Sequence, residues 1–77
     1  MVTPEHIKQW IESDLPGSRV EIEGDGRHFQ AIVVCGDFAG KTRIQQHQMV
    51  YDALGDRMKA DIHALSLRTL TPDQWDQ

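Results

Sequence analysis

Residues 19–35 have the sequence RVEIEGDGRHFQAIVVC, which is the clearest indication of the fold. Apolar and charged residues alternate over positions 19–23, which predicts a half-buried strand. Gly24-Asp25-Gly26 predicts a tight turn, because glycine adopts the positive φ angles that such turns need. The strand at residues 28–35 is apolar at both parities in its second half, which is typical of a central strand. The stretch therefore predicts an antiparallel hairpin whose second strand lies in the middle of a sheet.

Helical patterns lie on both sides of this hairpin. Thr3-Pro4-Glu5 combines a capping hydroxyl, a proline in the first turn and an acid at the positive end of the helix dipole. Gly55 predicts where a second long helix stops. The other predicted elements are a helix over 3–15, a helix over 41–54, a short helical turn through Met58, a strand over 62–70 and a helix start at Thr71-Pro72-Asp73-Gln74.

The connection between the second and third strands decides the topology. It is about twenty-five residues long and contains helix, so it permits a right-handed parallel crossover. Seventy-seven residues allow one small domain. We therefore expect a single α+β domain over residues 1–77, in the order α-β-β-α-α-β. Its sheet is expected to be three-stranded and mixed, with the helices on one face.

Composition excludes several classes of function. Eight Lys and Arg against twelve Asp and Glu give a net charge of −4, which argues against a general nucleic-acid coat. The longest purely apolar run, residues 31–35, is far shorter than the ~20 residues that span a membrane, and no signal peptide opens the chain. We expect a soluble, cytoplasmic protein with no membrane partner. No catalytic triad, paired-carboxylate motif, P-loop or CxxC occurs, so we expect no enzymatic activity.

Two histidines are candidate metal ligands. If the second and third strands are parallel neighbours, His28 and His63 lie at the same end of the sheet. Imidazole binds zinc, copper and iron, but a closed site needs about four donors, so the rest would come from another molecule. The alternative is a solvated turn residue at 28 and a half-buried strand residue at 63. Cys35 is expected to pack as a small apolar side chain, His6 to be exposed and His47 to be partly buried.

Positive charge is concentrated in the middle of the chain. Residues 27–47 carry Arg27, Lys41 and Arg43 against one acid, Asp37. Lys41 and Arg43 lie at the predicted start of a helix, where free N–H groups also favour anions. These residues predict a surface for an anion or an acidic partner. The alternative is an ordinary solvated helix start.

Several blocks of sequence resemble BolA-like proteins, over essentially the whole chain. They are VEIEGDG at residues 20–26 followed by His28-Phe29, FAGK at 38–41, QHQMVY at 46–51 and, most specific, IHALSLRTLTPDQW at 62–75. The Gly-Asp-Gly-x-His-Phe pattern is most similar to the bacterial IbaG-like subgroup. The resemblance implies a fold like that of class II KH domains, which agrees with the order of elements predicted above.

The resemblance also implies a partner and a cofactor. BolA-like proteins form heterodimers with monothiol glutaredoxins of the CGFS type, bridged by a 2Fe-2S cluster. By position, His63 corresponds to the family's histidine ligand before the last strand, and His28 to a Cys-or-His position between the first two strands. The glutaredoxin cysteine and a glutathione thiol would supply the other ligands. The resemblance thus implies a non-enzymatic factor in iron–sulfur cluster assembly or trafficking.

Two other functions stay open at this point. The family is also described as transcriptional regulators, and a KH-like basic surface would bind DNA weakly through Arg27, Lys41, Arg43 and Arg68, with a strong dependence on salt. A metal-free adaptor would instead bind its partner without either histidine. The sequence also leaves open whether the resting form is a monomer or a homodimer.

Overall fold

The computed structural model describes residues 2–60, 62 and 64–76. Its elements are α1 (Pro4–Asp14), β1 (Arg19–Gly24), β2 (His28–Val34), a 3-10 turn (Gly36–Phe38), α2 (Arg43–Leu54), α3 (Arg57–Ala60), β3 (Ala64–Leu70) and α4 (Pro72–Trp75). The predicted order and the α+β class are confirmed. The 3-10 turn is an addition, because the glycines of that segment predicted only a break between elements.

Threonine caps set the starts of three helices. The Thr42 hydroxyl accepts a hydrogen bond from the backbone N–H of Gln45 (3.1 Å), and the Gln45 side chain accepts one from the Thr42 N–H (2.9 Å). This reciprocal pair begins α2 at Arg43, two residues later than the apolar spacing predicts. Thr3 and Thr71 cap α1 and α4 in the same way, and both helix starts were predicted.

The central position of β2 is confirmed, since the strand order is β1-β2-β3. β1 pairs with β2 antiparallel, whereas β3 pairs with it parallel through the helical crossover. The registers place Val20 beside Val33 and Phe29 beside Leu65. A slip of one residue would move every apolar side chain to the wrong face, so burial specifies the pairing.

One face of the sheet carries the apolar core. Val20, Phe29 and Val33 point to this face and are at most 1% exposed. Burial of a phenylalanine contributes about 2–3 kcal/mol, so Phe29 anchors the central strand beneath the helices. The helices and the 3-10 turn add further fully buried side chains, namely Ile7, Ile11, Phe38, Val50 and Leu54.

The opposite face of the sheet is only partly covered. The Trp75 ring of α4 lies 5.4 Å from the guanidinium carbon of Arg19, which alternates with the buried Val20 along β1. A cation–π contact at this exposed position is worth up to about 1 kcal/mol. Within the described part of the chain, no helix combines the length and apolarity needed to cross a membrane.

Candidate functional site

The turn between β1 and β2 positions the His28 backbone. The Asp25 carboxylate accepts hydrogen bonds from the backbone N–H groups of Arg27 (2.9 Å) and His28 (2.8 Å). The Asp25 N–H in turn donates to the His28 carbonyl (3.2 Å). Gly26 has φ +98°, a conformation that L side chains rarely adopt. The turn thus closes on a carboxylate and a glycine, and β2 begins directly after it.

Gly24 allows the two strands to approach closely at this turn. A Cβ at position 24 would lie 2.5 Å from the His28 carbonyl oxygen and 2.6 Å from the Phe29 ring. The backbone oxygen cannot move aside cheaply, because it accepts the Asp25 N–H. Glycine at position 24 is therefore required by the close approach of β1 to the first residue of β2.

The environment of the His28 side chain is polar and exposed. The side chain is 68% exposed, and its Nδ1 lies 3.9 Å from the second carboxylate oxygen of Asp25. The pKa of Asp25 is lowered from 3.8, first by the hydrogen bond from the His28 N–H and then by that from Arg27. Asp25 is therefore anionic at neutral pH and places negative charge beside the imidazole.

The start of β3 lies directly beside the start of β2. Ala64 is the register partner of His28, and its N–H donates to the Arg27 carbonyl (3.0 Å). His63, the second candidate ligand, precedes Ala64 in the sequence and lies outside the described residues. We call the turn at residues 25–27 together with His28 and Ala64 the histidine rim.

His6, His47 and Cys35 are not part of this rim. His6 is exposed, accepts the Thr3 N–H through Nδ1 (3.4 Å), and stacks on Trp10 at 5.8 Å between ring centroids. His47 is partly buried, and its buried Nε2 has no hydrogen-bond partner among the described residues. Cys35 is 2% exposed in the core. All three expectations for burial are confirmed.

A second feature is a groove of about 710 Å³ beside the last part of β3. We call it the β3 groove, and its lining residues are Lys41, Arg43, Gln46, His47, Leu67, Arg68, Thr69, Leu70 and Gln74. Three cations and no carboxylate occur among these residues. The structure therefore brings Lys41, Arg43 and Arg68 to one groove, whereas Arg27 lies in the turn at the other end of the strands.

Gln46 connects the two sides of this groove, the start of α2 and the last part of β3. Its amide nitrogen donates to the carbonyls of Phe38 and Lys41, both at 3.0 Å, and its amide oxygen accepts the Thr69 hydroxyl at 2.6 Å. The start of α2 is thus bound to β3 by one side chain. Sequence reasoning missed Gln46, because its partners lie up to 23 residues away. The Asp25 contacts are local, and an Asp-Gly pair in a turn is a usable signal for them.

A sequence profile of the family described as "BolA-like protein" matches residues 2–74, which is nearly the whole chain. The chain belongs to the BolA-like protein family. A solved BolA homologue from Coxiella burnetii is 55% identical, with a TM-score of 0.93 and full coverage of both chains. The acid stress protein IbaG of Escherichia coli strain K12 is 40% identical over 70 residues, covering 90% of this chain and 83% of that protein.

A relative that is named as a transcriptional regulator has a lower sequence identity. The Haemophilus influenzae protein named "DNA-binding transcriptional regulator BolA" is 36% identical over 52 residues. That match covers 68% of this chain and only 50% of the relative, so the chain spans about half the length of that regulator. The family assignment and the α+β fold predicted from the sequence are confirmed by these similarities.

Proposed function

We propose that this BolA-like chain is a non-enzymatic factor in iron–sulfur cluster assembly or trafficking. It would share a 2Fe-2S cluster with a monothiol glutaredoxin of the CGFS type and with glutathione. One observation carries the proposal: the parallel register of β2 and β3 sets His28 opposite Ala64, the residue that follows His63 in the sequence. His28 thus lies beside Ala64, the next residue in the sequence after the second candidate ligand.

The His28 side chain suits a cluster brought by another protein. Because the side chain is 68% exposed, a partner protein bound at the rim could bring a cluster to the imidazole without moving any core side chain. Mixed histidine and cysteine ligation of 2Fe-2S clusters is chemically stable and raises the potential relative to all-cysteine ligation. His63 and His28 would supply the imidazoles, and the partner and glutathione would supply the thiolates.

Titration with cluster-loaded monothiol glutaredoxin tests this proposal. We expect the visible absorption and circular dichroism of the cluster to change when the wild-type chain is added. His63→Ala is expected to abolish or strongly alter the mixed species, and His28→Ala to weaken it. His6→Gln is the matched control, because it removes an exposed histidine outside the rim and keeps a side chain that completes the α1 capping box.

The double variant separates cluster sharing from a metal-free adaptor. If both histidines are replaced and the chain binds apo and loaded glutaredoxin as tightly as the wild type does, cluster sharing is wrong. Loss of binding to the loaded partner alone supports ligation by the rim. An unchanged spectrum with the wild-type chain would also contradict the proposal.

DNA binding is a second candidate, favoured by the three cations of the β3 groove and by the H. influenzae relative that is named as a DNA-binding regulator. A contact through about three phosphates predicts a slope near −3 for the logarithm of the binding constant against the logarithm of salt concentration. Lys41→Glu and Arg43→Glu are expected to weaken binding to a DNA duplex at physiological salt. A binding constant equal to that of the wild type would remove this candidate.

A further inference from the structure

β3 is an edge strand, and the backbone groups of three of its seven residues point away from the sheet. The Ala64 N–H donates to the Arg27 carbonyl, and the Leu70 carbonyl accepts the Cys35 N–H. In a parallel ladder the positions that face the neighbouring strand alternate, so residues 64, 66, 68 and 70 face β2. The N–H and C=O groups of Leu65, Leu67 and Thr69 therefore point outward.

These outward groups form a regular row along the β3 groove. Successive members are two residues apart, or about 6.6 Å, which is the repeat of an extended peptide. The groove runs beside the last four residues of β3, with the start of α2 as its wall. An extended chain lying there can pair with the Leu67 and Thr69 backbone, as in other cases of strand addition to a sheet edge.

Charge indicates the chemistry of that chain. Lys41 and Arg43 lie where α2 forms the wall, on the core side of β3, while Arg68 belongs to the opposite face because it alternates with Leu67 and Thr69. Side chains of an added strand alternate between the same two faces. Acids at either parity would thus meet a cation, and no carboxylate of the groove lining would repel them.

We propose that the β3 edge binds an extended acidic peptide segment of a partner protein, which adds to the sheet as a fourth strand. The proposal goes beyond cluster sharing and does not depend on it, because the histidine rim and the β3 groove flank opposite ends of β3.

Two other occupants fit this edge less well. A second copy of the chain, paired β3 to β3, would bring two sets of the same three cations together, and like charges oppose such pairing. Single-stranded nucleic acid meets the charge requirement, but its bases would have only His47 and the two arginines to stack on, because the groove lining contains no Phe, Tyr or Trp. The alternating row of donors and acceptors matches a peptide backbone instead.

Hydrogen exchange with a defined probe tests the proposal on the metal-free chain. The probe is a blocked heptapeptide of alternating glutamate and valine, at low salt, with the lysine–valine peptide as its control. On saturation with the acidic peptide, we expect exchange at the Leu67 and Thr69 amides to slow by about tenfold or more. The Ser66 and Arg68 amides, which already face β2, are expected to change little.

Charge variants test the electrostatic part. Replacing Lys41→Glu and Arg43→Glu together is expected to weaken peptide binding about tenfold, because exposed ion pairs contribute modestly to binding and each reversal also adds repulsion. Each single reversal, Lys41→Glu or Arg43→Glu, is compared with Lys8→Glu as its matched control, because Lys8→Glu makes the same charge change at an exposed position of α1 outside the groove lining. Both changes are at exposed positions, and far-ultraviolet circular dichroism checks that the fold is kept.

The remaining outcomes overturn the proposal. Absence of binding does so, as does equal binding of the lysine peptide, or binding without protection of Leu67 and Thr69. Tighter binding of an oligothymidine of matched charge would assign the groove to nucleic acid. Protection that rises with protein concentration and no peptide would assign it to a second copy of the chain. None of these results depends on iron, so they leave the cluster proposal to its own test.

Discussion

The two edge strands of the sheet, β1 and β3, differ in their charges and in the partners of their outward backbone groups. On the β1 edge, the outward N–H of Val20 donates to the Glu12 carboxylate of α1 at 3.2 Å, and the strand alternates charged residues with apolar ones. On the β3 edge, the outward amides of Leu67 and Thr69 have no hydrogen-bond partner among the described residues. β3 also carries a single charge, Arg68, in seven residues.

This difference shows which edge is protected against strand pairing. Charges and a covering element are the usual devices that prevent one sheet edge from joining another. β1 has both, although its exposed Arg19–Glu21 pair (3.3 Å) stabilises it little. β3 lacks the covering contact and is bordered by cations. The β1 edge is therefore covered at Val20, whereas the β3 edge has no such cover and is the edge that we propose for an acidic partner.

The largest expected effect is on the free energy of unfolding, when the contacts of α2 with β3 are removed. Gln46→Ala removes three hydrogen bonds and leaves the partly buried Thr69 hydroxyl without its acceptor. We expect the free energy of unfolding to fall by about 2 kcal/mol, measured by urea denaturation. Gln48→Ala is the control, because it removes one exposed contact to Asp52 on the same helix and should cost less than about 0.5 kcal/mol. Equal losses would contradict the proposed tie between α2 and β3.

A smaller effect is expected from opening the β1 edge. Glu12→Ala removes the acceptor of the Val20 N–H, so we expect a loss of about 1 kcal/mol and faster hydrogen exchange at Val20. Ser13→Ala, at the adjacent exposed position of α1, is the control. If Val20 exchanges at the wild-type rate in Glu12→Ala, the carboxylate does not protect this edge.

The smallest expected effect comes from protonation of Asp25, in the turn between β1 and β2. The pKa of Asp25 is lower in the folded chain than the value of 3.8 for the unfolded chain. The ionised carboxylate therefore stabilises the turn fully at pH values above 3.8, and this stabilisation is lost as the pH falls through the folded pKa. We expect the amide shifts of Arg27 and His28 to titrate with a midpoint below 3.8. Asp25→Asn should abolish that transition, and a midpoint above 3.8 would contradict the assignment.

The histidine rim could be predicted from the sequence only in part. The hairpin pattern placed His28 at the start of a strand, and the long helical connection predicted a parallel neighbour for it. The contacts of Asp25 with Arg27 and His28 were missed, although they are local. The register of β2 on β3 depends on packing of both strands against the helices, so the pairing of His28 with Ala64 needed the folded chain.

The elements and their order could be predicted from local sequence signals, because capping threonines, turn glycines and apolar periodicity act over a few residues. Long-range packing sets which segments lie side by side. It joined Gln46 to Thr69, grouped Lys41 and Arg43 with Arg68, and left the outward amides of β3 without a hydrogen-bond partner among the described residues. The physical reason is that a groove and a sheet edge arise from contacts between distant segments, and local preferences do not encode which segments meet.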